Sequence, residues 1–180
     1  TRVVLTQAVN TRNTAAAQLL LGQGYAVVRH ELRMRMQLAE PLPELALPAG
    51  VEIRPLAGPG ELPAFVEALR DAMVDHWGYV EQPFEEDLKQ ARHMFEHDPS
   101  FDPELCLAAV ADGQIVGTAI AIAHTAEGPE VGLVGSLGVR RAYRRRGIAT
   151  ALLLRAFNAM RSRGVRLATL EGEADSPTGA

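Results

Sequence analysis

Between residues 31 and 38 the chain reads ELRMRMQL, and Leu32, Met34, Met36 and Leu38 fall on one side of an unbroken apolar–polar alternation. A period of two predicts a strand with one buried face. Ahead of it, NTAAAQLLLG over 13–22 predicts a helix opened by Asn13 as N-cap, and RVVLT over 2–6 a short strand. Residues 39–50, AEPLPELALPAG, hold three prolines and a glycine and read as a linker. The chain thus divides into a segment 1–38, a linker 39–50 and a unit 51–180.

Within that unit VEIRPL predicts a strand, and 61–76 and 84–97 predict helices, with Phe65, Leu69 and Met73 sharing a face. Two strands, 105–111 and 114–124, are joined across Asp112-Gly113, a strong hairpin signal. A strand rich in small residues follows at 131–139, VGLVGSLGV, then a helix from Ile148 to about Arg163 with Leu152, Ala156 and Met160 in register. VRLATLEGE, 165–173, predicts the last strand. The ending resembles the beginning: with Thr169 set on Thr6 and Ser176 on Asn13, both stretches read strand, threonine, connection, small polar cap and helix start. An internal duplication with a repeat of one domain has this form, as does chance.

A length of 180 residues suits one domain, and 47% hydrophobic with 22% charged residues is the composition of an ordinary folded protein. No apolar run is long enough to cross a bilayer, and the start lacks the basic flank and apolar stretch of a signal sequence, so the chain reads as cytoplasmic and without membrane contact. Cys106, the only cysteine, excludes an internal disulfide or a multi-cysteine metal site, and ELCLAAVADG places it in an apolar strand as a core residue. Net charge is -4, which argues against a general nucleic-acid binder.

Against that acidic background YRRRGIAT, 143–150, concentrates three arginines before a glycine and a helix start. The first N–H groups of a helix lack intrahelical partners and attract anions, and Gly147 removes the side chain that would keep a diphosphate off the backbone. Arginines at a helix start oppose the helix dipole, an arrangement that an incoming anion relieves. A lysine and hydroxyl directly after the glycines, as in a P-loop, and the three spaced glycines of a dinucleotide fingerprint are both absent.

LGVRRAYRRRGIATALL resembles the phosphate-binding motif of the GNAT superfamily of acyl-CoA-dependent N-acyltransferases: Arg or Gln, two residues, Gly, one residue, Gly or Ala. Here the motif is Arg144-Arg145-Arg146-Gly147-Ile148-Ala149, preceded by SLGV. The resemblance implies an α/β (α+β) fold with a mixed, mostly antiparallel sheet flanked by helices. It implies acetyl-CoA as acyl donor and no metal. Cofactor contacts would come from Leu137, Gly138 and Val139 along the pantetheine arm, from Arg144, Arg145, Arg146, Gly147, Ile148, Ala149 and Thr150 at the diphosphate, and from Ser176 of the repeated cap. An amine would be the acceptor, with no nucleic acid as partner.

The family often uses a Glu on the pantetheine strand as base and a Tyr on the last helix as acid. The matching positions hold Leu133 and, in the opening segment, Leu20. The catalytic residues therefore stay unassigned. Substitutes to consider are Glu171 and Glu173 on the last strand, Glu130, His124, and Asp75, His76 and Trp77 where acceptor loops lie in the family. His93 and His97 have the i, i+4 spacing of a metal pair without a third ligand and read as a polar helix face.

The order of elements from 51 to 173 is that of a GNAT domain up to its fifth strand, while N..A..LL...GY in the opening segment resembles the end of such a domain. The chain thus resembles a stretch across the junction of a tandem GNAT protein. Residues 1–38 hold the elements that 51–180 lacks, so they are expected to complete its sheet, within one chain or by exchange between two chains in a homodimer. A degenerate domain that binds coenzyme A or nothing, and a nucleic-acid module built on the arginine patch, are the alternative readings.

Overall fold

The computed structural model describes residues 4–173. Six strands form a single sheet in the order β1-β6-β5-β4-β3-β2. The strands are β1 Glu31–Gln37, β2 Val51–Pro55, β3 Cys106–Ala111, β4 Gln114–Ile122, β5 Val131–Val139 and β6 Leu167–Glu173. The helices are α1 Thr14–Gly22, α2 Leu62–Met73, α3 Phe84–His97 and α4 Ile148–Arg161. All neighbouring strands are antiparallel except β5 and β6, which α4 connects as a parallel crossover. The mixed, mostly antiparallel sheet flanked by helices is the architecture expected from the sequence.

Local signals explain most of the elements. Asn13 caps α1 by accepting from the Ala16 N–H at 3.1 Å. Asp112 (φ 50°) and Gly113 (φ 75°) both take positive φ, the geometry of a type I′ turn that suits the right-handed twist of β3 and β4. Leu152, Ala156 and Met160 form the fully buried stripe of α4. This stripe packs on one face of the sheet with Leu107, Ala119, Val134 and Val139. Phe65, Val66 and Ala68 of α2 cover the other face with Leu88 of α3, against Cys106, Ala108 and Ile115. Cys106 is thus a core residue, and burial pushes its thiol pKa up to about 12.

The linker has a structural task. β1 and β2 lie at opposite edges of the sheet, so the proline-rich chain between them must cross five strand spacings, about 24 Å. Asn158 of α4 holds it midway, donating to the Leu42 carbonyl at 2.9 Å and accepting from the Leu42 N–H at 2.8 Å, and Leu42 and Leu47 pack onto the core.

The opening segment departs from two expectations. Residues 4–6 of the expected strand RVVLT form no strand and are exposed, because no sheet edge lies beside them to accept their backbone. β1 forms with the expected alternation, but its apolar face is uncovered: Leu32, Met34 and Met36 are 55%, 45% and 37% exposed, and only Leu38 is buried. β1 nevertheless pairs with β6 over its full length, from Glu31 opposite Glu173 to Gln37 opposite Leu167. Its other face carries a ladder of charges in which Arg33 lies 3.7 Å from Glu171 and Arg35 3.5 Å from Glu127. No helix among the described residues is long and apolar enough to cross a membrane.

Candidate functional site

β5 and β6 run side by side only from Val131–Leu167 to Val134–Leu170. Beyond Val134 the strands part, and the cause lies on the other side of β5. Against β4, Ala121 pairs with Val134 but Ile120 pairs with Ser136, so Gly135 is an extra residue, a bulge. A bulge bends its strand and raises the local twist, which swings the rest of β5 away from β6. From Gly135 to Val139 one edge of β5 remains bonded to β4 and the other is open. Small residues allow the bend: a Cβ on Gly138 would stand 2.6 Å from the Ala72 Cβ of α2.

The open edge leads into the arginine turn. Arg141–Tyr143 form one turn of 3-10 helix, Arg145 (φ 62°) and Gly147 (φ 81°) are left-handed, and α4 starts at Ile148. The first closed helical bond of this region is Ala151 N–H to the Gly147 carbonyl. From Arg145 through Thr150 the backbone N–H groups have no acceptor among the described residues. Successive amides in such a left-handed turn at a helix start form an anion-binding concavity. Nothing lies within 4 Å of where a Gly147 Cβ would be, so the concavity is open above that residue.

The arginines divide their labour. Arg144 donates Nε to the Val139 carbonyl at 3.0 Å, one terminal nitrogen to the Ala72 carbonyl at 3.1 Å and the other to Asp75 at 2.6 Å. Arg141 donates to the other oxygen of the same carboxylate. The two guanidinium groups, Arg144 foremost, hold the Asp75 pKa below the usual carboxylate range. Arg146 lies over the Tyr143 ring at 5.3 Å, and Arg145 and Arg146 are exposed. Arg140 anchors the end of β5, donating to the Ile115 carbonyl at 2.9 Å and to Asp71 at 2.5 Å. Leu137, Gly138, Val139 and 144–150 therefore lie along one run of backbone, in which the side chains of Val139 and Ile148 are buried in the core and leave only main-chain groups to face a ligand, while Ser176 lies outside the described residues.

The residues considered for proton transfer do not converge in the same way. Leu133 offers no titratable group. Glu171, on β6 just past the parting of the strands, faces Arg33. Glu130 pairs with Arg166 at 3.2 Å, and the His124 Nδ1 lies 2.6 Å from the Pro129 carbonyl. Trp77 is half exposed, and Arg29 of the opening segment lies over its ring at 4.9 Å. His93 and His97 stack at 4.9 Å on exposed α3, and the described residues contain no cluster of potential ligands able to hold a metal. Leu20 of the exposed α1 has no counterpart role here.

Unpaired amides at a glycine turn leading into a helix are the arrangement expected of residues 143–150, and the structure adds a strand parted from its parallel neighbour beside them. Residues 66–178 match the model of the acetyltransferase (GNAT) family. The chain belongs to that family. Mycothiol acetyltransferase of Pseudarthrobacter chlorophenolicus is 35% identical over 166 residues, covering 90% of this chain and 50% of that protein. Mycothiol acetyltransferase of Nocardioides sp. is 31% identical over 175 residues, covering 90% of this chain and 58% of that protein. Among solved structures, the GCN5-related N-acetyltransferase from Sphaerobacter thermophilus superposes with a TM-score of 0.75 at 36% identity, over 96% of this chain and 51% of that one. This GNAT chain spans about half the length of the relatives it matches.

Two features of the GNAT site had no signal in the sequence. The bulge at Gly135 needs the β4 register to be visible, and the capture of Arg144 by Asp75 joins residues 69 positions apart.

Proposed function

We propose that this chain acts as an N-acetyltransferase, binding acetyl-CoA and passing its acetyl group to a primary amine. The observation that carries the proposal is the run of unpaired amides from Arg145 to Thr150 at the end of an open strand edge. A diphosphate fits these amides and the positive end of α4. The pantetheine arm, with its two amide groups, fits the unpaired edge of Gly135–Val139 as an added strand. Acyl transfer forms a C–N bond as the C–S bond breaks, with the amine losing a proton and the thiolate gaining one. The residues of β5 would fix the arm so that the thioester lies at the fork with β6, where a backbone N–H polarises its carbonyl.

The acceptor to try first is the substrate of the mycothiol acetyltransferases, the relatives that match most of this chain. The opening segment supports completion of the domain within one chain, since β1 closes the β6 edge; exchange of the same segment between two chains would use the same register. A second reading, a domain that binds coenzyme A without turnover, draws on Leu133 at the base position and on the scattered carboxylates.

Calorimetry with coenzyme A and a thiol-release assay with acetyl-CoA and a panel of amines separate the outcomes. Micromolar binding with amine-dependent thiol release is expected. Binding without release for every amine selects the second reading, and no binding removes both.

A further inference from the structure

Asp75 lies in the loop between α2 and α3, far in sequence from the arginine turn, yet it contacts that turn twice, through Arg144 and Arg141. Arg144 in turn grips the last carbonyl of β5 and the Ala72 carbonyl near the end of α2. One guanidinium thus ties three pieces together: the open strand, the arginine turn and the second helix. Each of its three nitrogens donates to a protein oxygen, a rigid planar fork used as a joint.

We propose that Asp75 is a positioning residue for the carrier site: by holding Arg144 and Arg141 it fixes the left-handed turn that presents the amides of Arg145–Thr150, and it couples that turn to the loop bearing His76 and Trp77. This inference rests on the carrier reading of the turn given above. The physical reason is strain. Arg145 and Gly147 both have positive φ, and a non-glycine residue keeps that conformation only when its surroundings hold it. Among the described residues no backbone N–H from Arg145 to Thr150 is bonded, so the side chains of Arg144 and Asp75 supply the restraint. Two arginines on one carboxylate also lessen the positive charge that would otherwise repel the helix dipole at the start of α4. The coupling reaches the opening segment: Trp77 follows Asp75 by two residues and carries Arg29 of that segment on its ring.

The test compares the full chain with Asp75→Asn, which keeps the shape and removes the charge, and Asp75→Glu, which keeps the charge. Coenzyme A affinity by calorimetry is expected to fall at least tenfold in Asp75→Asn and to return to within threefold in Asp75→Glu. Trp77 is the sole tryptophan, so its fluorescence reports the coupling: a change on adding coenzyme A is expected in the unaltered protein and is lost in Asp75→Asn. A purely structural role would lower the melting temperature without this split. Affinity within twofold of the unaltered protein in Asp75→Asn overturns the proposal, as does equal weakening in both variants.

Should Asp75→Asn not fold, Arg141→Gln, at a side chain 75% exposed, is expected to weaken coenzyme A about threefold, and no change there overturns the proposal. Amide exchange in the ligand-free protein keeps the proposal distinct from the carrier reading. Exchange at Tyr143 and Ala151, which are bonded to Arg140 and Gly147, is expected to quicken tenfold in Asp75→Asn with the β3–β4 amides unchanged. If the unaltered protein binds no coenzyme A, the function fails while this exchange still decides the role of Asp75.

Discussion

The two halves of β5, VGLV and GSLGV, both contain glycine and have opposite roles. From Val131 to Val134 the strand is bonded on both edges, and its residues are locked: the Thr169 hydroxyl of β6 donates to the Gly132 carbonyl at 2.9 Å, and a Cβ on Gly132 would meet Met160 Sδ at 2.6 Å and the Ile122 carbonyl at 3.0 Å. From Gly135 to Val139 the strand is bonded on one edge only, and a Cβ on Gly135 would meet nothing within 4 Å. Glycine thus permits close packing at 132 and 138 and leaves space at 135. A single bulge separates the two, which shows how little backbone change opens a strand edge within a sheet.

The sharpest way to break this comparison is Gly147→Val, at the far end of the open half. Its positive φ disfavours any side chain and its Cβ would occupy the concavity, so coenzyme A affinity should drop about 100-fold or more, the loss of one or two charge-assisted bonds. Calorimetry checks it, and unchanged affinity would remove the open half from the site. Gly132→Ala, in the locked half, should destabilise the fold by about 1–3 kcal/mol by overpacking while leaving affinity near its original value. Urea unfolding measures it; a neutral effect would mean that the locked half is not locked. Gly135→Ala, by the same measurement, should change stability by less than about 0.5 kcal/mol.

A second comparison sets the Arg144–Asp75 pair, at the end of an inner strand, beside an ion pair on the edge strand β2. Arg54 of β2 donates to both oxygens of Glu61, at 2.6 and 2.9 Å, and the Ala57 N–H donates to one of them. The Arg54 hydrogen bonds, then that of Ala57, lower the Glu61 pKa to about 2. A carboxylate whose pKa is lower folded than unfolded stabilises the fold above its unfolded value, near 4.5, and this contribution is lost as pH falls toward 2. Glu61→Gln should therefore cost about 1 kcal/mol at pH 7, the gap to the unaltered protein closing as pH falls from about 4.5 toward 2, with coenzyme A affinity untouched. Denaturant titrations across that range check the sign. A loss of affinity would mean that ion pairs anywhere in the domain support the site, and Asp75 would have no special place.

Much of this was legible locally. The Asp112-Gly113 turn, the Asn13 cap and the stripe of α4 depend on residues a few positions apart, and the motif of 144–149 shapes a backbone turn with its own glycine. The strand expected at residues 2–6 fails over 4–6 because a strand is a property of pairs, and no partner edge stands beside it. The alternation of β1 rightly gave a strand and wrongly gave it a covered face, since alternation records which residues share a side and not what lies over them.

The order of elements and the amide-rich turn followed from the amino-acid sequence by itself, because hydrogen bonds between near neighbours and the steric freedom of glycine act over a few residues. Tertiary structure alone decided which strand edge β1 would close, that Gly135 would split β5 from β6, and that Arg144 would turn to Asp75 instead of outward. Those outcomes depend on which distant strand edges and carboxylates arrive within bonding distance, and that is settled only when the sheet assembles.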